Sequence, residues 1–547
     1  MTHTIHVGDC LEWLRSLPDN SVDSVVTDPP YGLGREPDAR EVLRAWLDGE
    51  EYKPGGSGFM GRAWDAFVPS PPVWAECLRV LKPGGHLLAF AGTRTYDWIV
   101  MGVRLAGFEV RDMVGYLYGT GFPKSLDVSK AIDKQRHDRA EIHQVTEWIR
   151  AARDAAGVTN RQIDDAFGFH GMAGHWTSSG SQAAIPTLEQ IPRLLAVLGL
   201  TLDDAPDTVR DLIWTLNGRK GQPGAAWFDR EVIGTAPSSL GGTVAAGDRD
   251  PDYIAKHRNH HFNITAPATE AARQWAGWGT ALKPSIEPVV MARKPLAGTV
   301  AANVLEWGTG GINVDGCRIA AEPWTRPGSN AVGGVYGDFG NDTGRTGSPS
   351  GRWPANIIHD GSPEVLAVFP QQKSGGFSQG MIQHSRACNV AKGAEAERVR
   401  DARAPDSGSA ARFYYCAKAS RAEREHGLDA LPRGIVDPTR AEDSAGRDNP
   451  RAGAGRSGSG RANIHPTVKP VDLMRYLLRL VTPPGGLTID PYAGSGTTGV
   501  AAVHEGFRFA GCELETPHAL IAVTRIAQAV TDEREERELA TMQQTLF

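Results

Sequence analysis

The sequence predicts an α/β fold whose sheet is built in two halves, with inserted segments between them. Three observations carry this expectation. Strand and helix patterns alternate over the first 120 or so residues, and the same alternation returns after about residue 463. Between the two, residues 139–202 abandon the alternation for continuous helical spacing, and 297–461 turn rich in Gly, Ser, Asn, Asp and Arg. With 547 residues the length prior is roughly three to four domains, ample for such an arrangement.

The elements follow in order. Thr4–Val7 reads as a short strand, and Cys10–Ser16 as a helix through Leu11, Leu14 and Leu17. Val22–Thr27 (VDSVVT) is a β-branched strand stopped by Asp28-Pro29-Pro30. Pro72–Leu81 predicts a helix closed by Pro83-Gly84-Gly85, and His86–Ala91 a buried strand; Tyr96–Ala106 and Glu109–Tyr118 supply the next helix and strand. Alternation of this kind predicts a parallel sheet. In the helical stretch Ile142, Val145, Ile149 and Ala152 share a face, Thr159 and Gln162 form a capping-box pair, and Pro186 opens a helix. Extended structure resumes at Ile286–Ala292, and after 463 a helix (Val471–Val481), a strand (Gly486–Ile489), a helix (Gly499–Glu505) and a strand (Phe507–Glu513) complete the pattern. The expected partition is 1–138, 139–220 (helical insert), 221–296 (return to the sheet), 297–462 (loop-rich insert), 463–530 and a charged tail at 531–547.

Composition excludes several classes. Apolar residues at 40% and charged residues at 22% fit a soluble globular chain. Apolar runs such as Leu87–Ala91 are too short to span a bilayer, and the N-terminus lacks a secretory pattern, so no membrane role and a cytoplasmic setting are expected. Six scattered cysteines without a Cys-x-x-Cys pair argue against thiolate zinc clusters and disulfide frameworks; with His260-His261 lacking further ligands, no metal is expected. The net charge of −6 hides a gradient, since Arg386–Arg461 carries 15 basic against 11 acidic residues. Such a locally basic segment can meet a phosphate backbone, or be a solvated loop.

Two motifs carry chemistry. In TIDPYAGSGTTG (Thr488–Gly499) a strand runs through a glycine turn into a helix, with Gly494, Gly496 and Gly499 in G-x-G-x-x-G spacing and Glu513 ending the next strand. Glycines there allow close backbone approach to a nucleoside, and the acid can accept ribose hydroxyls. Taken alone the loop also fits NAD binding or a plain tight turn, whereas a P-loop is excluded. In VTDPPYG (Val26–Gly32) an acid at a strand end precedes two prolines and an aromatic. Prolines lack an amide N–H, so their carbonyls are free to face a ligand. Asp28 and the Pro29 carbonyl can accept the two hydrogens of an exocyclic amine, with the Tyr31 ring as a stacking face.

Asp-Pro-Pro-Tyr at Asp28–Tyr31 together with D-P-x-x-G-S-G-T-T at Asp490–Thr498 resembles the S-adenosylmethionine-dependent DNA amino-methyltransferases, which methylate adenine N6 or cytosine N4. The order, catalytic tetrapeptide before glycine loop, is similar to the permuted β class, and HPTVKP (His465–Pro470), GTALKPSIEPVVMARKPL and GRWPANIIHDG resemble segments of prophage-type DNA methylases. The resemblance implies a Rossmann-like methyltransferase sheet with circularly permuted motif order. It implies a catalytic pocket of Asp28, Pro29, Pro30 and Tyr31, and S-adenosyl-L-methionine as methyl donor. Asp490, Ala493, Gly494, Ser495, Gly496 and Thr497 would wrap the donor's methionine part, Glu513 its ribose, and Asp9 with Cys10 its adenine; Thr467 and Lys469 would close the methionine end. The other reading of Asp9 is an ordinary helix cap. The family more often has Phe where this chain has Tyr492.

The insert NRQIDDAFGFHGMAGHWTSSG followed by PTLEQIPRLLAVLGL is similar to phage-repressor helix-turn-helix domains. That likeness implies double-stranded DNA as partner, with Arg161, His175 and Ser178 as candidate contacts; packing alone is the other reading. The resemblance implies transfer of a methyl group to a base amine, adenine N6 ahead of cytosine N4, because in that family Asp at the first position of the tetrapeptide is the usual form for adenine. The absence of any Pro-Cys dipeptide argues against cytosine carbon-5 chemistry. An NAD-dependent oxidoreductase and a catalytically dead DNA-binding regulator are the rivals. A restriction endonuclease partner and the oligomeric state stay open.

Overall fold

Every residue of Val22–Thr27 is buried, as the β-branched run requires of a strand covered on both faces. This strand, β2, lies in the interior of the large sheet of the computed structural model, fourth of nine strands. The structure describes residues 3–34, 36–54, 63–119, 121, 125–135, 138–169, 171–180, 182–219, 223–237, 261–320, 325–326, 345–346, 351–374, 381–384, 397–400, 406–417, 421–431 and 462–546. The other strands of that sheet are β1 (His3–Val7), β3 (Leu81–Phe90), β4 (Glu109–Leu117), β5 (Ile286–Arg293), β6 (Ile357–His359), β7 (Tyr415–Cys416), β8 (Leu487–Asp490) and β9 (Arg508–Glu513). Its order is β1-β9-β8-β2-β3-β5-β4-β6-β7.

The sheet is mixed, which corrects the expected all-parallel arrangement. The strands from β1 through β3 run parallel, but β5 pairs antiparallel with both β3 and β4. Strand Ile286–Arg293 follows a long insertion instead of a crossover helix, so nothing obliges it to enter in the common direction. The loop-rich insert also adds β6 and β7 beyond β4. Pro83-Gly84-Gly85 does not delay β3 as expected. The pairing jumps from Val22–Leu81 to Ser24–His86, so these residues form an irregularity within the strand.

Alternation along the central strands divides the core. Val26, Leu88, Phe90, Val289 and Met291 face helices α4 (Val471–Val481), α5 (Thr497–His504) and α6 (Thr516–Leu546). Val25, Leu87, Ala89 and Val290 face α1 (Cys10–Ser16), α2 (Pro71–Val80) and α3 (Tyr96–Leu105), where Trp74 and Ile99 are fully buried. Residues 531–546, read as a charged tail, continue α6. Among the described residues no helix is long and apolar enough to cross a membrane.

A second compact unit spans Phe122–Lys283, wider than the 139–220 module read from sequence. Its helices Arg139–Ala155, Asn160–Phe167, Met172–Trp176, Ile191–Val197 and Asp207–Gly218 enclose a core of Val145, Ile149, Ile163, Trp176, Leu194 and Ile213. The Thr159–Gln162 capping box forms as expected, and Gly168, left-handed at φ 70°, ends that helix. The hairpin Val232–Pro237 with His261–Thr265 belongs to this unit, not to the large sheet. His260 lies outside the described residues.

A buried ion pair organises the same unit. The carboxylate of Asp133, fully buried, accepts from the amides of Ala268 (3.0 Å) and Thr269 (3.2 Å) and the Thr269 hydroxyl (2.7 Å), and pairs with the buried Arg230 guanidinium. Removing one partner of such a pair strands the other charge, which costs about 3–5 kcal/mol. Asp133→Ala should therefore lower the unfolding free energy by about that amount. Chemical denaturation reads it, and adding Arg230→Met should restore part of the loss.

Candidate active site

The C-terminal ends of four adjacent parallel strands place the sequence-predicted residues together. Asp9 follows β1, Glu513 ends β9, Asp490 ends β8 and Asp28 follows β2. Ligands of open α/β sheets bind along this edge.

Asp490 joins the two motifs. Its Oδ1 accepts from the Thr27 hydroxyl at 2.6 Å and from the Tyr492 amide at 3.0 Å, and its Oδ2 from the Thr498 hydroxyl at 2.5 Å. Thr27 immediately precedes Asp28, and Thr498 lies in the first turn of α5, so one buried carboxylate ties the tetrapeptide to the glycine loop. Burial pushes the Asp490 carboxyl up to about 6, against those three hydrogen bonds, with Asp28 adding to the rise.

The loop glycines serve packing. A Cβ on Gly496, where φ is +79°, would lie 2.8 Å from the Ala522 Cα of α6, and one on Gly494, φ +52°, would lie 2.9 Å from His465 Nε2. Ser495 is buried and rests on Arg525 of α6. One guanidinium nitrogen donates to the Ser495 carbonyl (2.8 Å), the Ser495 hydroxyl (3.2 Å) and the Thr497 hydroxyl (3.1 Å). Burial lowers that guanidinium to about 10, with Glu423 opposing. Nothing local in the sequence marks Arg525, which lies 30 residues from the loop it supports.

Glu513 accepts from the Gly494 amide at 2.9 Å and from the Glu515 amide at 2.9 Å, which fixes the acid beside the loop. Ala493 of the loop is buried. Asp9 caps α1, its Oδ1 accepting from Leu11 at 2.9 Å and Glu12 at 3.1 Å. The Cys10 thiol is half-buried, and burial pushes it up to about 11. The exposed Thr467 accepts through its carbonyl from the His465 ring. Burial and the neighbouring His518 lower that ring to about 4.

The tetrapeptide is braced from two sides. The Asp65 carboxylate accepts from the Tyr31 amide (3.0 Å) and the Gly32 amide (3.1 Å), while the Thr95 hydroxyl donates to the Tyr31 carbonyl at 2.6 Å. Pro29 is buried and Pro30 half-buried. The Tyr31 hydroxyl donates to Asp28 Oδ1 at 2.7 Å. Lys469, expected at the methionine end of a donor, reaches this pocket: its Nζ lies 2.9 Å from the Tyr31 hydroxyl and 3.2 Å from Asp28 Oδ1. Asp65, Thr95 and Arg525 were not found by sequence reasoning, because each acts across the fold.

In the second unit Arg161 is exposed. The His175 ring pairs with the Gln182 carbonyl at 2.9 Å, and the Ser178 hydroxyl accepts the Gly180 amide at 2.9 Å.

Residues 399–524 match the family model described as DNA methylase. The matched segment is similar to DNA methylase sequence. It holds the glycine loop, Glu513 and Lys469, and bears out the resemblance to the DNA amino-methyltransferases; Asp28–Tyr31 lie outside it. The chain is 34% identical over 87 residues to the type II methyltransferase M.BamHI of Bacillus amyloliquefaciens, covering 16% of each chain. It is 36% identical over 62 residues to the DNA adenine methyltransferase YhdJ of Escherichia coli (strain K12), covering 11% of this chain and 21% of that protein. The chain thus spans about a fifth of the length of these curated relatives or less. The structure aligns with the M1.HpyAVI-SAM complex at 11% identity and a TM-score of 0.29, over 96% of this chain and 99% of that one.

The Asp490 carboxyl has a sign opposite to that of an ordinary paired acid. Its value in the fold is raised above the 3.8 of an exposed aspartate. Its contribution to stability is therefore fully present below pH 3.8 and is lost as pH rises through about 6. Asp490→Asn, which cannot titrate, should gain on the wild type by about 3 kcal/mol between those limits. Paired denaturation curves at pH 4 and pH 7 measure this, and a difference independent of pH would refute it.

Proposed function

We propose that the chain is an S-adenosylmethionine-dependent DNA methyltransferase acting on the exocyclic amino group of a base turned out of the duplex, adenine N6 in the first instance. The observation that carries this reading is the hydrogen bond from Thr27 to Asp490, which sets the tetrapeptide beside the glycine loop on neighbouring strands. Pocket and donor loop lie far apart in the chain, and their order fits a circularly permuted arrangement. The DNA methylase match over the loop supports the donor.

The residues fit that donor. Glu513 is held at the strand end with two of its four acceptor positions used by backbone amides, leaving acceptors for ribose hydroxyls. Asp9 and Cys10 at the start of α1 would flank the adenine, and Ala493 to Thr497 the methionine part. When bound, the donor supplies a methyl group already activated on a sulfonium. The work left to the chain is positioning. Asp28 and the Pro29 carbonyl take up the two amine hydrogens, and Tyr31 offers its ring to the base. Held in this way, the amine would turn its lone pair toward the donor's methyl group, and the proton that the nitrogen then releases would leave to solvent. A base within a duplex cannot reach this pocket without leaving the stack.

The second unit, with its helix pair Asn160–Phe167 and Met172–Trp176, would contact double-stranded DNA through Arg161, His175 and Ser178. We place the protein in the cytoplasm; a restriction endonuclease partner is a separate question for its genetic setting.

Two substitutions divide the labour. Asp28→Ala should abolish methyl transfer while leaving S-adenosylmethionine affinity within about twofold. Arg525→Met should do the reverse, weakening donor affinity by about tenfold, or 1.4 kcal/mol, because the loop loses its charged support. Calorimetry and radiolabel transfer read the two effects, and equal losses in both variants would refute this division. Nuclease digestion and mass spectrometry of the methylated DNA then identify the base. N4-methylcytosine without N6-methyladenine would overturn the adenine assignment and leave the methyltransferase.

A further inference from the structure

Lys469 is 10% exposed and meets more than the tetrapeptide. Its Nζ also lies 2.9 Å from Glu287 Oε2 on β5 and 4.8 Å from the Phe90 ring centroid at the end of β3. An ammonium has three N–H donors, and here three acceptors surround it: Glu287, the Tyr31 hydroxyl and Asp28. Glu287 lies within GTALKPSIEPVVMARKPL, a segment to which the pocket's chemistry assigns no role so far.

The charge count gives it one. Methyl transfer moves a positive charge from the donor's sulfur to the base nitrogen, which holds it until a proton leaves. Asp28 alone would offset that charge, but Lys469 at 3.2 Å cancels it. Glu287, on the other side of the same ammonium, returns the pocket to a net charge of −1. We propose that Glu287 and Lys469 are a positioning pair for the target amine. Lys469 holds Tyr31 and Asp28 in one arrangement, and Glu287 keeps the pocket negative where the cation develops. A group acting on charge that appears only in the transition state changes the rate of the chemical step and leaves ground-state binding little altered.

This inference rests on the proposed methyl transfer, and its test separates the two. Single-turnover methyl transfer to host DNA, donor affinity and thermal stability are measured for the full chain, Glu287→Gln, Lys469→Met and the double variant. Glu287→Gln should slow transfer on the order of 10–100-fold with donor affinity within about twofold and an unfolded fraction no larger than that of the wild type. The double variant again carries one uncancelled carboxylate, Asp28, so it should be faster than Glu287→Gln alone. A merely structural pair would also recover in the double variant, so thermal stability separates the two: a structural pair predicts a rate loss in Glu287→Gln that follows lost stability, the proposed pair a slowed rate at wild-type stability. A wild type that methylates no DNA overturns the proposed function. A wild type that methylates DNA, with Glu287→Gln equally fast or the double variant slower than Glu287→Gln, overturns only this inference.

Discussion

One buried carboxylate holds the site together. Asp490 receives Thr27 from β2, Thr498 from α5 and the Tyr492 amide from its own loop. Burying a carboxylate is costly unless its oxygens are hydrogen-bonded, and the displacement of its proton affinity shows that part of the cost persists. What is obtained in exchange is geometric. Two loops that begin 462 residues apart in sequence, after Asp28 and Asp490, leave adjacent strand ends at a fixed separation. The transfer proposed for this site would depend on that separation more than on any single contact.

Around this joint each loop has its own support. Arg525 of α6 carries the Ser495–Thr497 side, and the missing Cβ atoms of Gly494 and Gly496 let His465 and α6 press against it. Asp65 and Thr95 carry the Tyr31 side. A loop braced by groups behind it can present its front to a ligand without rearranging, which is the structural meaning of preorganisation. The glycines therefore act first through packing, whatever approach they also permit to a nucleoside.

The pocket at Tyr31 combines aromatic rings with a chain of charged and polar groups. Burial, reinforced by Asp28 and Glu287, holds the Tyr31 hydroxyl well above the usual phenol range, so it stays a donor to Asp28. For Lys469 burial opposes the charge, yet Asp28 and Glu287 together hold the ammonium above the usual lysine range. Alternating acid, base and acid in a buried site satisfies each group only while all are present, a condition that favours one side-chain arrangement over many.

Local pattern by itself determined most elements of the large sheet. Val22–Thr27, Cys10–Ser16 and Val471–Val481 stand where β-branched runs, helical spacing and Pro or Asp boundaries place them, because those signals act over a few residues. The two motifs also marked residues that the fold gathers at one edge of the sheet, since side-chain chemistry and glycine spacing are local properties. Tertiary structure alone decided the rest. The direction of β5 depends on how a long insertion returns to the sheet, and the wider second unit on a pairing between Asp133 and Arg230. Lys469 lies four residues after His465, yet its ammonium meets Asp28, just past β2, and Glu287 on β5. No spacing rule could announce that meeting, because charge pairing depends on distance in space, and the fold sets that distance only after the strands are ordered.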